Sequence, residues 1–417
     1  MTTSDDSIRA REAYVWVWLP GALDPVVAGR LEQRDESRVV TFVYGRSYLN
    51  NPEAIPLFLP DLPLERGEHL PLSGDIAGCI ADASPDAWGR RVIQHRHQAN
   101  SADLTDLAYL LLSVSDRTGA LDFQASAEEC VPRTGGSASL DDLAEAARLV
   151  EEGEPIPLDL EIALLHGTSI GGARPKASLR DGDRHLIAKF SSSTDVYPVV
   201  KGEYIAMELA RRAGLDVAPV EFTTAAGRDV LLVERFDRGP DGQRKMMVSA
   251  QTILNLHDAL GIAGRYATYP DLADQVRQRF VAPDDTLQEL YSRITFNVLV
   301  GNTDDHAKNH AAFWDGASLQ LTPAYDICPQ LRSGNEVRQA MAYGSNGDRS
   351  SQVTRCAQHA GVYHLDRSEA AEIVDLQISA IRDNWREVCD LAQATEADKD
   401  RFQGRQFLNE HALKDWR

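Results

Sequence analysis

The densest polar stretch of the chain is Asn302-Thr303-Asp304-Asp305-His306-Ala307-Lys308-Asn309-His310. It holds a carboxylate able to accept a proton, an amide oxygen able to bind a hard cation, and a nearby ammonium. Another acid, Asp326, stands seventeen residues beyond Asn309. Between them lies Phe313-Trp314-Asp315-Gly316-Ala317-Ser318, whose Asp-Gly pair marks a tight hairpin turn between strand-like flanks. Such a hairpin returns Asp326 to the neighbourhood of Asn309. One base, one amide and one further carboxylate suit phosphoryl transfer, where positioning and charge neutralisation do most of the chemistry. Mg²⁺ fits that set, since it prefers carboxylate and amide oxygens and keeps some of its waters.

The interval from Asp304 to Asn309 is five residues. It equals the Asp-to-Asn interval of the protein-kinase catalytic loop H-R-D-x-x-x-x-N. Taken alone, the run also reads as a solvated polar loop. A transition-metal site is a further reading, because His306 and His310 are spaced i, i+4 beside Asp304 and Asp305. That reading leaves Asn309 and Asp326 without a role.

A second constellation lies upstream. Thr168-Ser169-Ile170-Gly171-Gly172-Ala173-Arg174-Pro175-Lys176 is Gly-rich and ends in a cation. Paired glycines let backbone N–H groups approach phosphate oxygens. No G-K-[ST] occurs in it, so it is not a Walker A loop, and alone it reads equally as a turn. Lys189 follows on a strand-like run, where kinases place a phosphate-binding Lys. Glu203, on the next helix-like run, is its candidate partner. Val230-Leu231-Leu232-Val233-Glu234-Arg235-Phe236-Asp237-Arg238 is an apolar strand running into charges, which suits a hinge beside adenine. Each of these features alone is ordinary; their order is the signal.

The elements that must position these groups are readable from pattern. Residues 14–19 and 39–44 are rich in aromatic and β-branched types and predict strands. A Pro-rich stretch from Pro52 to Pro71 excludes a long helix. Ser84-Pro85-Asp86 predicts a helix start with Ser84 as N-cap, running through Trp88 and Val92. Gly135 to Ser139 reads as a linker. Strands are expected at 185–190 and 230–234, with a helix at 203–213 stopped by Gly214. Leu287, Leu290, Ile294 and Val298 predict a helix ending near Gly301. Val374, Ile378, Ile381, Trp385, Val388 and Ala392 trace one apolar helical face.

Composition bounds the rest. The chain has 417 residues with 43 Lys plus Arg against 63 Asp plus Glu, a net charge of −20. That argues against a broad nucleic-acid-gripping surface of its own. Five scattered cysteines without a C-x-x-C pair suit a reduced cytosol. No apolar run reaches the length of a membrane span and no secretory signal is evident, so a cytoplasmic location is expected.

Taken together, these residues resemble the HipA-like serine/threonine kinases, toxin components of bacterial type II toxin–antitoxin pairs. The motifs are Ser169 to Lys176, Glu234-Arg235-Phe236-Asp237-Arg238, Thr303-Asp304-Asp305-His306-Ala307-Lys308-Asn309 and Tyr325-Asp326-Ile327-Cys328-Pro329. Tyr48-Leu49, Ala54-Ile55-Pro56-Leu57 and Ser84 to Arg90 are similar as well. The likeness covers about residues 14–395.

The resemblance implies ATP and Mg²⁺ as cofactors and Asp304 as the catalytic base. It implies Asn309 and Asp326 as Mg²⁺ ligands and Lys189 as the contact to the ATP phosphates. Gly171, Gly172, Ala173, Arg174, Pro175 and Lys176 would form the phosphate loop. Glu234, Arg235 and Phe236 would border adenine, with His306, Ala307, Lys308, Asn309 and Tyr325 also lining the nucleotide site. Ser169 aligns with an autophosphorylated serine, whose phosphate would expel the loop. The implied partners are a small helix-turn-helix antitoxin of HipB type, operator DNA mainly through that antitoxin, and a protein substrate such as an aminoacyl-tRNA synthetase. Asp305 departs from the family, where a Gly is common, and so does Pro175 after Arg174.

The expected fold is α+β and two-lobed, protein-kinase-like. Residues 1–150 form an N-terminal β-containing subdomain and 151–250 the rest of the small lobe with phosphate loop and hinge. Residues 251–417 form a helical C-terminal lobe. Two rival functions remain: a small-molecule phosphotransferase, and a non-enzymatic corepressor of an antitoxin–DNA complex.

Overall fold

The computed structural model describes residues 7–416 except 35–36, 135–137, 158–159, 161–162, 164, 169–171, 240, 259–261, 333 and 335. Ser169, Gly171 and most of the expected linker at 135–139 therefore lie outside the described residues.

The N-terminal region is built on strands β1 (Glu12–Val17), β2 (Val26–Gln33), β3 (Val40–Tyr44) and the short β4 (Glu68–His69). Helices α1 (Ala87–His97) and α2 (Asp106–Leu112) come next, followed by strand β5 (Leu121–Gln124). The five strands form one antiparallel sheet in the order β4-β3-β2-β1-β5. The expected strands at 14–19 and 39–44 are β1 and β3, shifted by one or two residues.

The cap of α1 differs from expectation. Asp86, not Ser84, is the N-cap, and its side chain makes no capping bond. The physical reason is that its carboxylate is engaged elsewhere, by Gly172 N–H and by Lys308.

Helix α3 (Leu140–Glu152) opens with a capping box between Ser139 and Asp142. Then come β6 (Lys176–Asp181), β7 (Arg184–Phe190), α4 (Val199–Arg212), β8 (Val220–Ala225) and β9 (Arg228–Glu234). The four strands form an antiparallel sheet in the order β6-β7-β9-β8. The strand period of two sorts their side chains. Ala188, Phe190 and Val230 enter a core with Trp88 and Val92 of α1 and Leu143 and Ala147 of α3. Leu231 and Val233 enter the opposite core with Ile205 and Leu209 of α4. The sheet is thus covered on both faces. Helix α4 begins at Val199, four residues before the expected 203, so Glu203 sits in its second turn.

The larger lobe contains β10 (Met247–Ser249), α5 (Tyr269–Arg279), α6 (Pro283–Val300), β11 (Ala311–Trp314), β12 (Leu319–Leu321), α7 (Arg367–Leu391) and α8 (Glu396–Phe402). Helix α6 has Pro at its first position and Asp284 and Asp285 in its first turn, which suits the positive end of the helix dipole. It ends at Gly301, whose φ is +70°. A Cβ there would meet the Gln406 carbonyl oxygen at 2.8 Å, so both conformation and space call for glycine. Strands β10-β11-β12 form a small antiparallel sheet, with the Asp315-Gly316 turn between β11 and β12.

Helix α7 carries the apolar face read from the sequence: Val374, Ile378, Ile381, Trp385 and Val388 are all buried. A capping box between Asp366 and Glu369 starts it. Truncating Trp385 to Ala in this core costs about 3–5 kcal/mol. Among the described residues no helix is long and apolar enough to cross a membrane.

Candidate active site

The site lies where β7, α4, the 302–310 loop and the segment after β12 converge. Lys189 lies on β7 with neighbours Ala188 and Phe190 turned to the α1–α3 core, so the alternation aims Lys189 at α4. There its ammonium donates to Glu203 Oε1 at 2.5 Å and to Asp326 Oδ1. One cation therefore bridges a helix carboxylate and the acid beyond the hairpin.

The electrostatics follow from this sharing. Burial lowers the Lys189 pKa, but Asp326 and Glu203 outweigh it, and the ammonium is held well above its usual range. Burial pushes Asp326 up, yet Lys189 and Lys176 overcome that and hold it below the carboxylate range. Glu203 shifts the other way: burial raises it more than Lys189 lowers it. Asp326 also has a φ of +58°, a left-handed conformation that Asp tolerates better than most residues.

Lys176 is the cross-strand partner of Lys189. Burial, and then the like charge of Lys189, push its ammonium down to about 8. Gly172, with φ +105°, leaves room for it: a Cβ there would lie 2.2 Å from Lys176 Nζ. Only glycine meets both demands. Helix α1 fastens this end of the Gly-rich loop. Trp88 N–H donates to the Gly172 carbonyl at 3.0 Å, and its indole N–H donates to the Lys176 carbonyl at 2.9 Å. Gly172 N–H donates to Asp86 Oδ2 at 2.9 Å. Ala173 is exposed and Pro175 buried. Arg174 pairs with Asp195.

The 302–310 loop splits its adjacent acids. Asp304 is exposed and Asp305 is 3% exposed. Burial raises the Asp304 pKa, as do the negative charges of Asp326 and Asp305, while His306 lowers it. Asp305 instead accepts from the Tyr269 hydroxyl and lies 2.9 Å from His310 Nε2. Tyr269 Oη and His310 Nε2 are also 2.9 Å apart. His306 is therefore not joined by His310 in the loop, which disposes of the paired-histidine metal reading. Among the described residues no group of three or more His, Cys, Asp or Glu converges as a metal cluster.

Asn309 Nδ2 donates to the Asp304 carbonyl at 3.3 Å. This orients the amide so that Oδ1 is left without a protein partner among the described residues. With Asp326 it offers one amide and one carboxylate oxygen, which fits Mg²⁺ completed by waters and phosphates better than a many-carboxylate cation site. Tyr325 Oη donates to the Lys308 carbonyl at 2.7 Å, and Ala307 is buried. Lys308 Nζ pairs with Asp86 at 2.8 Å.

The hinge residues divide. Phe236 packs on Tyr325 and Phe313, with centroids 5.7 and 6.0 Å away. The Glu234 backbone N–H donates to Pro219. Arg235 does not offer its side chain to a ligand. Its guanidinium is buried and donates to Asp116, Asp237 and the Arg117 carbonyl, which fastens the hinge to the N-terminal region. Its backbone N–H donates to the His185 carbonyl at 2.9 Å.

Sequence reasoning assigned no role to Asp86, Tyr269 or Asp195. Asp86 did stand inside a motif singled out for its resemblance. Tyr269 meets Asp305 and His310 from far along the chain, and Asp195 accepts Ser192 N–H locally but meets Arg174 only through the fold.

The class defined by this fold and site is a two-lobed, protein-kinase-like α+β protein. The HipA-like C-terminal domain family matches residues 168–385, and the HipA N-terminal domain family matches residues 17–124. The chain belongs to the HipA-like family.

A relative from Sinorhizobium fredii named "Putative kinase Y4mE" is 27% identical over 75% of this chain and 76% of its own length. The serine/threonine-protein kinase toxin HipA of Shewanella oneidensis is 29% identical over 38% of this chain and 42% of its own. Among solved structures, the Shewanella oneidensis complex of HipA, HipB and operator DNA matches with a TM-score of 0.64 at 19% identity. That match covers 94% of this chain and 98% of the other.

Proposed function

We propose that the chain is an ATP- and Mg²⁺-dependent serine/threonine protein kinase that acts as a HipA-like toxin. The observation that carries this reading is Lys189, held between Glu203 and Asp326, with exposed Asp304 on the loop that also presents Asn309. Relatives named as kinases support it.

Mg²⁺-ATP, when bound, supplies the phosphoryl group and the cation that offsets its charge. Asn309 and Asp326 would hold the metal. Lys189 and Lys176 would meet phosphate oxygens, and the loop from Gly171 to Lys176 would cover them, its Gly172 N–H being given to Asp86 instead. Glu234 to Phe236 would border adenine. Asp304 would accept the hydroxyl proton of a Ser or Thr acceptor. Its raised pKa brings its basicity nearer to that task.

The substrate class is a protein of translation, such as an aminoacyl-tRNA synthetase, and the controlling partner a HipB-like helix-turn-helix antitoxin. Operator DNA would be reached mainly through that antitoxin, which agrees with the net charge of −20. Ser169 would be the autophosphorylated switch, since roughly −1.5 to −2 of added charge opposes a loop built to cradle phosphate.

Intact-mass spectrometry after incubation with Mg²⁺-ATP tests this. The parent, starting unphosphorylated, is expected to gain one phosphate. Asp304→Gln and Ser169→Ala are expected to gain none. An unphosphorylated parent that gains nothing would overturn the kinase reading.

A further inference from the structure

A cavity of about 490 Å³ lies apart from the cleft, between the segment that follows Asp326 and the C-terminal tail. Its lining includes Arg332, Arg401 and Arg405 and no Asp or Glu among the described residues. That is unusual ground on a chain with 20 excess negative charges. The volume is in the range of small-ligand sites.

The state of Arg332 is the second observation. Its Nη2 reaches Ser351 Oγ at 3.3 Å, the long end of a hydrogen bond. Its Nε and Nη1 are buried and have no hydrogen-bond partner. An unmet buried donor is costly, and more so on a charged group. Burial is the cause lowering the Arg332 pKa, with no acid set against it. Arg401 bonds only a carbonyl, that of Val196, at 2.9 Å. Thus three arginines line one space, and among the described residues no carboxylate pairs with them.

We infer that this cavity is a phosphate-binding site, in which Arg332, Arg401 and Arg405 together hold a phosphate dianion. Guanidinium forks match phosphate oxygens in pairs, and three cations suit a dianion better than a single carboxylate. The phosphate is either a free ion or a phosphorylated side chain of a peptide; the recognition chemistry is the same.

The site is connected to the cleft through the backbone. Arg332 is six residues beyond Asp326. Between them, the Pro329 carbonyl accepts from Tyr197 Oη at 2.7 Å, and Gln330 N–H donates to the Gly301 carbonyl at the end of α6. A phosphate joining Arg332 to Arg401 and Arg405 ties the segment leaving Asp326 to the tail after α8. An effect on phosphoryl transfer rests on the kinase reading; the binding itself does not.

Isothermal titration calorimetry on the full chain separates these. The probes are inorganic phosphate, a short phosphoserine peptide and its unphosphorylated form. The parent is expected to bind a phosphate probe saturably, and Arg332→Gln at least tenfold more weakly. Arg405→Glu, at an exposed position where folding is not in question, is expected to abolish that binding. Tighter binding of the phosphopeptide than of phosphate assigns the site to a phosphorylated segment, and the reverse assigns it to the free ion. Equal affinity in parent and both variants, binding of the unphosphorylated peptide alone, or no binding to the parent would overturn the proposal. A protein that binds here yet transfers no phosphate from ATP would leave this site standing and remove only the kinase reading.

Discussion

Lys308 Nζ lies 2.8 Å from Asp86 Oδ1 across 222 residues of sequence. The same carboxylate accepts Gly172 N–H. One acid at the start of α1 therefore joins the 302–310 loop of the large lobe to the Gly-rich loop of the small one. Burial raises its pKa, but Lys308 and Gly172 outweigh that and hold it below its usual value.

Removing this charge should loosen both loops. Asp86→Asn is expected to raise KM for ATP several-fold and to lower unfolding stability by about 0.5–1.5 kcal/mol, the scale of a hydrogen bond between partly exposed groups. Steady-state kinetics and urea unfolding read the two effects. Unchanged KM together with unchanged stability would show that the bridge does nothing.

Asp304 and Asp305 make a prediction about pH. The proposed base Asp304 would have to be ionised to act, so activity is expected to fall as pH drops through its raised pKa. Asp305→Asn removes one neighbouring negative charge. The acid limb of the kcat profile should then move to lower pH. The maximum rate should fall too, because Tyr269 and His310 use both carboxylate oxygens and Asn keeps only one acceptor. An acid limb that stays in place, or moves upward, contradicts this arrangement.

Lys189→Met leaves buried Glu203 and half-exposed Asp326 without their shared cation. Losing the shared cation costs about 1–3 kcal/mol at neutral pH, less than for a fully buried pair because Asp326 is partly screened by solvent. The loss should shrink as pH falls, since protonation removes the uncompensated charges. Thermal melts at several pH values report this. Phosphoryl transfer should fall at least about a hundredfold, the scale of other lost charge-stabilising contacts. A variant as stable as the parent at neutral pH would refute the shared-cation account.

Lys176 predicts proton uptake on nucleotide binding. Its ammonium is pushed down to about 8 in the folded protein, from an ordinary value of 10.5. The neutral form is thus substantial at pH 8–9, and this residue's penalty on folding is relieved as pH rises between those two values. Phosphates beside it restore the charge, so protons are taken up. Calorimetry of ATP binding in buffers of different ionisation heat measures that uptake, and Lys176→Met should abolish it. Identical heats in all buffers would rule the mechanism out.

Much of the site is legible because it is local. The five-residue interval from Asp304 to Asn309 and the hairpin before Asp326 place three groups from one short stretch. Strand alternation sets Lys189 on the face opposite Ala188 and Phe190, and the 3.6-residue period identifies α7. Each depends on neighbours a few residues away, so covalent geometry and side-chain period suffice.

Other features needed the tertiary structure. The sequence shows two adjacent acids, but only packing against Tyr269 and His310 buries Asp305 and leaves Asp304 in the cleft. The motif around Arg235 is plain in the sequence, yet Asp116 and Arg117 draw its guanidinium into the seam with the N-terminal region. Asp86 reads locally as part of a helix start, and becomes a bridge only when two lobes close on it. The three arginines of the second cavity come from segments some seventy residues apart. The physical reason is the same in each case. A charge finds its partner through burial and the approach of distant backbone, and neither is written in the spacing of nearby residues.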